Sequence, residues 1–378
     1  MEQHAKTSED LCLSGLLFDE LTAVCGKMGE DFPPFRIRQI EKRIREGCSD
    51  FEAMTELPQE LRRKLAECYH LRSVTLDGVY ADPDGTVKLR LLTADSLAIE
   101  AVILRDKHGR HTACLSTQAG CAMGCVFCKT GSLGFTRNLN AGEITGQLHS
   151  INGCLKADGR PPVSNIVFMG MGEPLLNLDA LLKSIALLCA LPGTPANRFS
   201  PRRITVSTCG LAPKILEWAD RAPGGVRLAV SLTTARQDLR SRLMPASSAL
   251  AELKDALCSY QKQTGRRVTL ELPLLGGINT HPEDAEALAV FARGLSVLVN
   301  LIPWNAAPGL VFEGKPLTSP SPKEAARFVR ELEERHLPVV IRRGKGGAVA
   351  GACGQLGNAV ALGQKQKQYA GNDTGKTE

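Results

Sequence analysis

From about residue 111 onward the chain alternates between short apolar runs rich in β-branched residues and longer runs with helical periodicity. This alternation constrains the fold more than any other feature of the sequence. Strands are expected at Thr112–Ser116, Asn165–Met169, Arg203–Ser207, Leu228–Leu232, Val268–Leu272, Val297–Ile302 and Val339–Ile341. Between them lie helical patterns such as Leu178–Cys189, Ala249–Gln263, Pro282–Arg293 and Lys323–Arg335. Parallel strands joined by right-handed crossovers satisfy such a pattern, closed or nearly closed into a barrel. In that architecture chemistry gathers at the carboxyl ends of the strands. A chain of 378 residues exceeds one core of roughly 100–150 residues, so a large α/β domain with a smaller appendage is expected.

The stretch before the alternation supplies the appendage. Residues 15–70 read as helical, with Leu16, Leu17, Leu21 and Val24, then Ile37, Ile40 and Ile44, at helix-like spacing, and Pro33-Pro34 separates the first two helices. One helix carries Arg36, Arg38, Lys42, Arg43 and Arg45, and a later one Arg62, Arg63 and Lys64. Either run alone reads as a solvated helix face; together they form a candidate contact for an RNA backbone. Residues 72–104 change character to short strands around Asp82-Pro-Asp-Gly, a small antiparallel sheet bridging to the main domain. The expected division is a helical RNA-binding module at 1–70, a β linker at 71–110, the barrel with its C-terminal loop at 111–360 and a polar tail at 361–378. The tail is expected to be disordered from Lys367.

No apolar run approaches the ~20 residues that span a bilayer. The polar, mixed-charge start (Met1 to Asp10) does not read as a signal peptide, so a cytoplasmic protein without membrane contact is expected; a monomer is expected as well. In such a chain the 13 cysteines do not read as a disulfide framework, and clustered ones point to metal or redox chemistry. A net charge of +6 permits nucleic-acid binding without requiring it, while 4% aromatic residues argue against a surface of stacking platforms.

Cys121-Ala-Met-Gly-Cys125-Val-Phe-Cys128 places three thiols on one loop. Three soft ligands suit an iron–sulfur cluster better than a structural zinc, which wants a fourth protein ligand; His149 is a poor candidate for that place. The C-x3-C-x2-C spacing, with Phe127 before the third cysteine, resembles the signature of the radical S-adenosylmethionine (SAM) superfamily. That resemblance implies a [4Fe–4S] cluster whose fourth iron is chelated by SAM. One βα unit later, Gly170-Met-Gly172-Glu173-Pro resembles the superfamily motif that binds the SAM amino group. Ser207, the Ser231-Leu232-Thr233 segment and Asn305 sit at further strand ends, suited to SAM contacts or equally to ordinary strand-end caps.

Over nearly its whole length the sequence resembles the RlmN/Cfr family of radical SAM RNA adenine methyltransferases. The resemblance rests on Pro34-Phe-Arg-x-x-Gln-Ile, Phe51-Glu-Ala-Met-Thr-Glu-Leu, Cys114-Leu-Ser-Thr-Gln-Ala-Gly-Cys121, Gly134-Phe-Thr-Arg-Asn-Leu-Asn-Ala-Gly-Glu-Ile, Gly170-Met-Gly-Glu-Pro-Leu-Leu-Asn, Thr205-Val-Ser-Thr-Cys-Gly, Asn300-Leu-Ile-Pro-Trp-Asn305 and Ala352-Cys353-Gly-Gln-Leu. Gly-Glu-Pro-Leu-Leu-Asn is closer to the C2-methylating branch than to the C8 one. The resemblance implies a partial (β/α)6-type barrel and two SAM molecules per turnover. One methylates Cys353, and the other yields a radical that activates the S-methyl group for addition to an electron-poor adenine carbon of rRNA or tRNA. Cys114 then attacks the Cys353 sulfur, releasing product as a transient disulfide forms. Glu100 matches the family's proton acceptor, though Cys114, which read alone is equally a buried core thiol, could take that proton. A one-electron donor such as flavodoxin or ferredoxin is implied as partner.

Two departures stand out. The family's Ser-Leu-His-Ala is here Ser231-Leu-Thr-Thr-Ala, and its Asp-Ile-x-Ala-Ala before the second catalytic cysteine is Gly347-Ala-Val-Ala-Gly351-Ala. The exact RNA target is therefore open. Two other readings remain at this point: a non-catalytic iron–sulfur or zinc RNA-binding protein, and a radical SAM enzyme acting on a small molecule.

Overall fold

The computed structural model describes residues 12–27, 33–189, 199–342 and 344–357. The expected disordered tail lies outside them. Three helices, α1 (Phe18–Gly26), α2 (Pro34–Arg45) and α3 (Gln59–Cys68), form the N-terminal module. Pro34 opens α2 at a position where its missing N–H costs no hydrogen bond. The apolar stripe Ile37, Ile40 and Ile44 buries against Leu21, Met54 and Leu65 in a core of the module's own.

Strands β1 (Val74–Ala81), β2 (Val87–Thr93) and β3 (Ala98–Arg105) form an antiparallel meander, followed by β4 (His111–Cys114). Here the structure adds something the sequence pattern hid. β3 pairs antiparallel with β4, Val102 opposite Cys114, so the meander continues the main sheet instead of bridging to it. After β4 come a two-stranded ribbon, β5 (Gln118–Gly120) with β6 (Phe135–Asn138), which brackets the short helix α4 (Lys129–Ser132), and then α5 (Ala141–Ala157). The remaining elements are β7 (Val163–Phe168), α6 (Leu178–Cys189), β8 (Ile204–Thr208), α7 (Ala212–Arg221), β9 (Arg227–Ser231), α8 (Gln237–Leu243), α9 (Leu250–Thr264), β10 (Val268–Leu274), α10 (Pro282–Ala292), β11 (Val297–Pro303), the hairpin β12 (Val311–Phe312) and β13 (Lys315–Pro316), α11 (Pro322–Glu334) and β14 (Val339–Ile341).

The sheet has ten strands in the order β1-β2-β3-β4-β7-β8-β9-β10-β11-β14, parallel from β4 onward. Each expected parallel strand is present. The barrel is partial: among the described residues β14 bonds only to β11, and no hydrogen bonds close it back onto β4. Parallel strands covered by helices read as near-continuous apolar runs, as Val297–Leu301 does. Their side chains join α5, α6, α7, α9, α10 and α11 in one core.

The module sits on α5, whose start is an Asn140–Glu143 capping box. Gly15 and Gly142 meet there: a Cβ on Gly15 would lie 2.8 Å from the Gly142 nitrogen. No helix among the described residues is long and apolar enough to cross a membrane.

Candidate active site

The loops at the carboxyl ends of the parallel strands enclose two adjoining cavities. The three loop thiols face the inner one. The β5–β6 ribbon pinches their loop shut where the Cys121 N–H donates to the Gly134 carbonyl at 2.8 Å. Gly120, at φ +78°, has no room for a side chain: a Cβ would fall 2.0 Å from the Gly134 oxygen. Phe127 is buried below, and its carbonyl accepts the Trp304 indole N–H at 2.9 Å.

Burial pushes the Cys121 thiol up to about 11 and raises Cys125 and Cys128 as well, so without a metal these sulfurs stay protonated. Yet the backbone N–H groups of Thr130 and Gly131, at the start of α4, are aimed at the Cys128 sulfur, and that of Met123 at Cys121. Donors pointed at buried sulfur fit metal-bound thiolates. The three thiols line one cavity, and this all-sulfur donor set with amide donors aimed at it fits a [4Fe–4S] group.

Gly172, Glu173, Ser207 and Ser231 share that inner cavity. Glu173 is buried; its Oε1 accepts the Leu175 N–H (3.1 Å) and its Oε2 the Cys209 N–H (2.8 Å). Burial raises its pKa while these bonds oppose the rise, so a cationic ligand there would ionise it. The other expected SAM contacts are placed differently. Leu232 is wholly buried in the core, and Thr233, also buried, takes a left-handed conformation (φ +64°) with its hydroxyl lacking a hydrogen-bond partner. Asn305 lines the outer cavity instead. Arg240, with no exposure, braces the inner site from behind by donating to the carbonyls of Leu232 and Cys209, each at 2.8 Å.

The outer cavity, about 950 Å3, is large enough for a nucleotide. Cys114 faces this cavity alone, whereas Cys353 lines both, as do Met169 and Ile302. Burial raises the Cys114 thiol, and the neighbouring Cys353, itself exposed, adds to the effect. Arg105, Lys107, Arg342 and Lys345 also line the outer cavity. Sequence reading missed this basic set, which Asp84 and Asp106 interrupt, because it joins two short stretches from opposite ends of the catalytic region. By contrast, the arginines expected to contact RNA are largely ion-paired within the module: Arg43 to Glu46 and Glu56, Arg45 to Glu41, Arg62 to Glu52, and Arg63 to Glu60 and Glu67. Glu271 was missed as well. It projects from β10 into the inner cavity, its Oε2 accepting the Asn300 amide at 2.8 Å. A charged residue inside an otherwise apolar parallel strand was the available signal.

Glu100, on β3, is buried. Its Oε1 pairs with Lys88 at 2.9 Å and its Oε2 accepts the Gly357 N–H at 2.8 Å.

An open α/β barrel with a three-thiol loop at its mouth and a glycine-rich turn one unit later defines a radical SAM enzyme, and the radical SAM superfamily pattern matches residues 115–289. Residues 12–71 match a ribosomal RNA large subunit methyltransferase N-terminal domain. The "Probable dual-specificity RNA methyltransferase RlmN" of Treponema pallidum (strain Nichols) is 44% identical over 93% of this chain and 98% of its own length. The dual-specificity RNA methyltransferase RlmN of Anaeromyxobacter sp. (strain Fw109-5) is 39% identical over 91% and 90%. A crystal structure of a radical SAM methyltransferase from Sphaerobacter thermophilus superposes with a TM-score of 0.85 at 40% identity, covering 92% of this chain and 99% of that one. The chain belongs to the RlmN family of radical SAM methyltransferases. Cys114 and Cys353 lie outside the span of the superfamily pattern.

Proposed function

We propose that this protein methylates a carbon of an adenine in rRNA or tRNA, C2 by its closeness to that branch, with Cys353 as methyl carrier. The observation that carries this reading is the position of Cys353 on the wall between the two cavities. Cys121, Cys125 and Cys128 would hold the cluster, and Gly172, Glu173, Ser207 and Ser231 one SAM molecule, with Asn305 contacting it from the outer side. When bound, cluster and SAM supply a carbon-centred radical after one-electron reduction, for which a flavodoxin or ferredoxin is the proposed donor.

The chain's own residues divide the remaining work. From the inner side Cys353 accepts a methyl group by displacement, for which its thiol must first lose its proton. From the outer side it delivers that carbon to the base. Cys114, facing the outer cavity, is placed to take the ring proton and then to close on the Cys353 sulfur, freeing the product. Arg105, Lys107, Arg342 and Lys345 around the cavity suit phosphates flanking the target nucleotide. A basic rim on a nucleotide-sized cavity favours RNA over a small-molecule substrate.

Cys114→Ala tests the order of events. It should still form the carbon bond but fail to release it, so protein purified from cells should carry RNA through Cys353. The attachment should survive denaturation and shrink on nuclease digestion to a nucleotide-sized mass on the Cys353 peptide. An RNA-free Cys114→Ala protein with full activity would reduce this cysteine to a core thiol.

A further inference from the structure

The loop that carries Cys353 closes short turns of its own, with the Gly351 N–H donating to the Gly346 carbonyl at 2.8 Å, and beyond Cys353 the Lys129 N–H donates to the Gly354 carbonyl and the Thr130 hydroxyl to the Leu356 carbonyl, each at 2.8 Å. From Gly344 to Gly357 it forms neither helix nor strand, and it turns through positive φ at Gly346 (+73°), Ala350 (+49°), Gly354 (+80°) and Gly357 (+94°). Its backbone N–H groups reach out to carboxylates on the antiparallel meander. Gly346 donates to Asp84 Oδ2 and Ala348 to Asp82 Oδ2, each at 2.8 Å, in the turn between β1 and β2. Gly357 donates to Glu100 Oε2 at 2.8 Å. Two of these contacts precede Cys353 and one follows it.

The carboxylates are themselves fixed. Asp82 Oδ1 accepts the Asp84 N–H (2.9 Å) and Asp84 Oδ1 the Thr86 N–H (2.8 Å). Glu100 Oε1 pairs with Lys88, which has no exposure. Lys88 also backs the loop, since a Cβ on Gly351 would meet its Cβ at 3.6 Å. Both Glu100 oxygens are thus engaged, and Glu100 does not line the outer cavity, where Cys114 does.

We propose that Asp82, Asp84 and Glu100 act as a carboxylate clamp that positions the Cys353 loop, Glu100 being a positioning residue and not the acceptor of the adenine proton. The proposal rests on the reading of Cys353 as methyl carrier. A sulfur that must meet reactants on two sides loses rate steeply when misplaced, by as much as about 100-fold for a displacement near 1 Å.

The test compares two double variants. Lys88→Met with Glu100→Gln keeps an oxygen for the Gly357 N–H without burying a lone ammonium; Lys88→Met with Glu100→Leu removes it. Three quantities are read: methyl transfer from methyl-deuterated SAM to Cys353 in reconstituted enzyme without RNA, product and adduct with RNA, and amide hydrogen exchange across 344–357 in metal-free protein. The Gln variant should load Cys353 within about threefold of the unaltered rate and turn over RNA without trapped adduct, while the Leu variant should load about tenfold more slowly or worse and exchange its loop amides about tenfold faster. A Gln variant that loads normally yet accumulates a Cys353–RNA adduct would make Glu100 the proton acceptor and overturn the proposal. So would a Leu variant with unchanged loading and exchange. Should the Leu variant fail to fold, Asp82→Ala with Asp84→Ala, in the hairpin turn, must accelerate exchange at Gly346 and Ala348, and unchanged exchange there refutes the clamp. If Cys353 of the unaltered enzyme never acquires the label, the carrier reading fails, and the exchange measurement still judges the clamp.

Discussion

Replacing Gly172 by alanine should damage the proposed SAM site. The residue has φ +101°, and a Cβ would stand 2.5 Å from Gln118 Cβ, 2.7 Å from its Cγ and 2.9 Å from its backbone nitrogen. Holding a side chain at such a φ costs about 1–3 kcal/mol. Overpacking against a fixed neighbour adds about 1–3 kcal/mol. Gln118 is poorly free to move: its Oε1 accepts the Glu173 N–H at 2.8 Å, its Nε2 donates to Asn138 at 2.8 Å, and its N–H donates to the Met171 carbonyl at 3.2 Å. Any retreat therefore drags the Glu173 carboxylate with it. The expected loss of about 2–6 kcal/mol in unfolding free energy should appear in denaturant titration, with SAM affinity of the cluster-loaded enzyme weakened about tenfold or more. Gly153→Ala is the control: exposed inside α5 with no atom within 4 Å of its Cβ position, it should stabilise by about 0.5–1 kcal/mol. If Gly172→Ala falls within about 1 kcal/mol of the parent with unchanged SAM affinity, the steric reasoning from the backbone is wrong.

Alanine at Cys121, Cys125 or Cys128 should abolish the cluster and all SAM cleavage, and near-full iron and sulfide after any one substitution would refute that ligand set. Cys353→Ala should keep the cluster yet yield no methylated RNA; methylated nucleoside from that variant would rule out a cysteine carrier. His149 lies where the N-terminal module meets α5, and burial, then the charges of Arg45 and Arg72, lower its pKa to about 4. The unfolded chain takes up that proton near pH 6.5, before the folded chain does. Stability is therefore lost as pH falls from about 6.5 towards 4, by up to about 3 kcal/mol, and His149→Gln should remove most of this slope in denaturation midpoints measured across that range.

The parallel strands were legible because each is a compact apolar run flanked by turns, and Cys121, Cys125 and Cys128 because adjacency in sequence guarantees adjacency in space. Helix α5 was not among the helices named from the sequence; its Gly142 and Gly146 serve close packing against Ser73 and Val74, a role no local pattern displays. The pairing of β3 with β4 escaped because local periodicity carries no information about which strands become neighbours. Asp82-Pro-Asp-Gly was legible as a turn, but its carboxylates meet residues more than 260 positions away. Of the arginines clustered in α2 and α3, Arg43, Arg45, Arg62 and Arg63 pair with glutamates on the same small module, which their runs in the sequence did not reveal.

The unbroken sheet from β1 to β14 bears on how such enzymes can be recombined. The helical module has its own core and meets the rest of the molecule across a seam of small residues, Ser14, Gly15, Ser73 and Gly142. The meander is hydrogen-bonded into the catalytic body and holds the reactive loop at the far end of the chain. A graft that exchanges the helices between relatives should therefore be joined just before Val74. A junction near residue 110 would import a foreign turn, and the loop bearing Cys353 would lose its mooring.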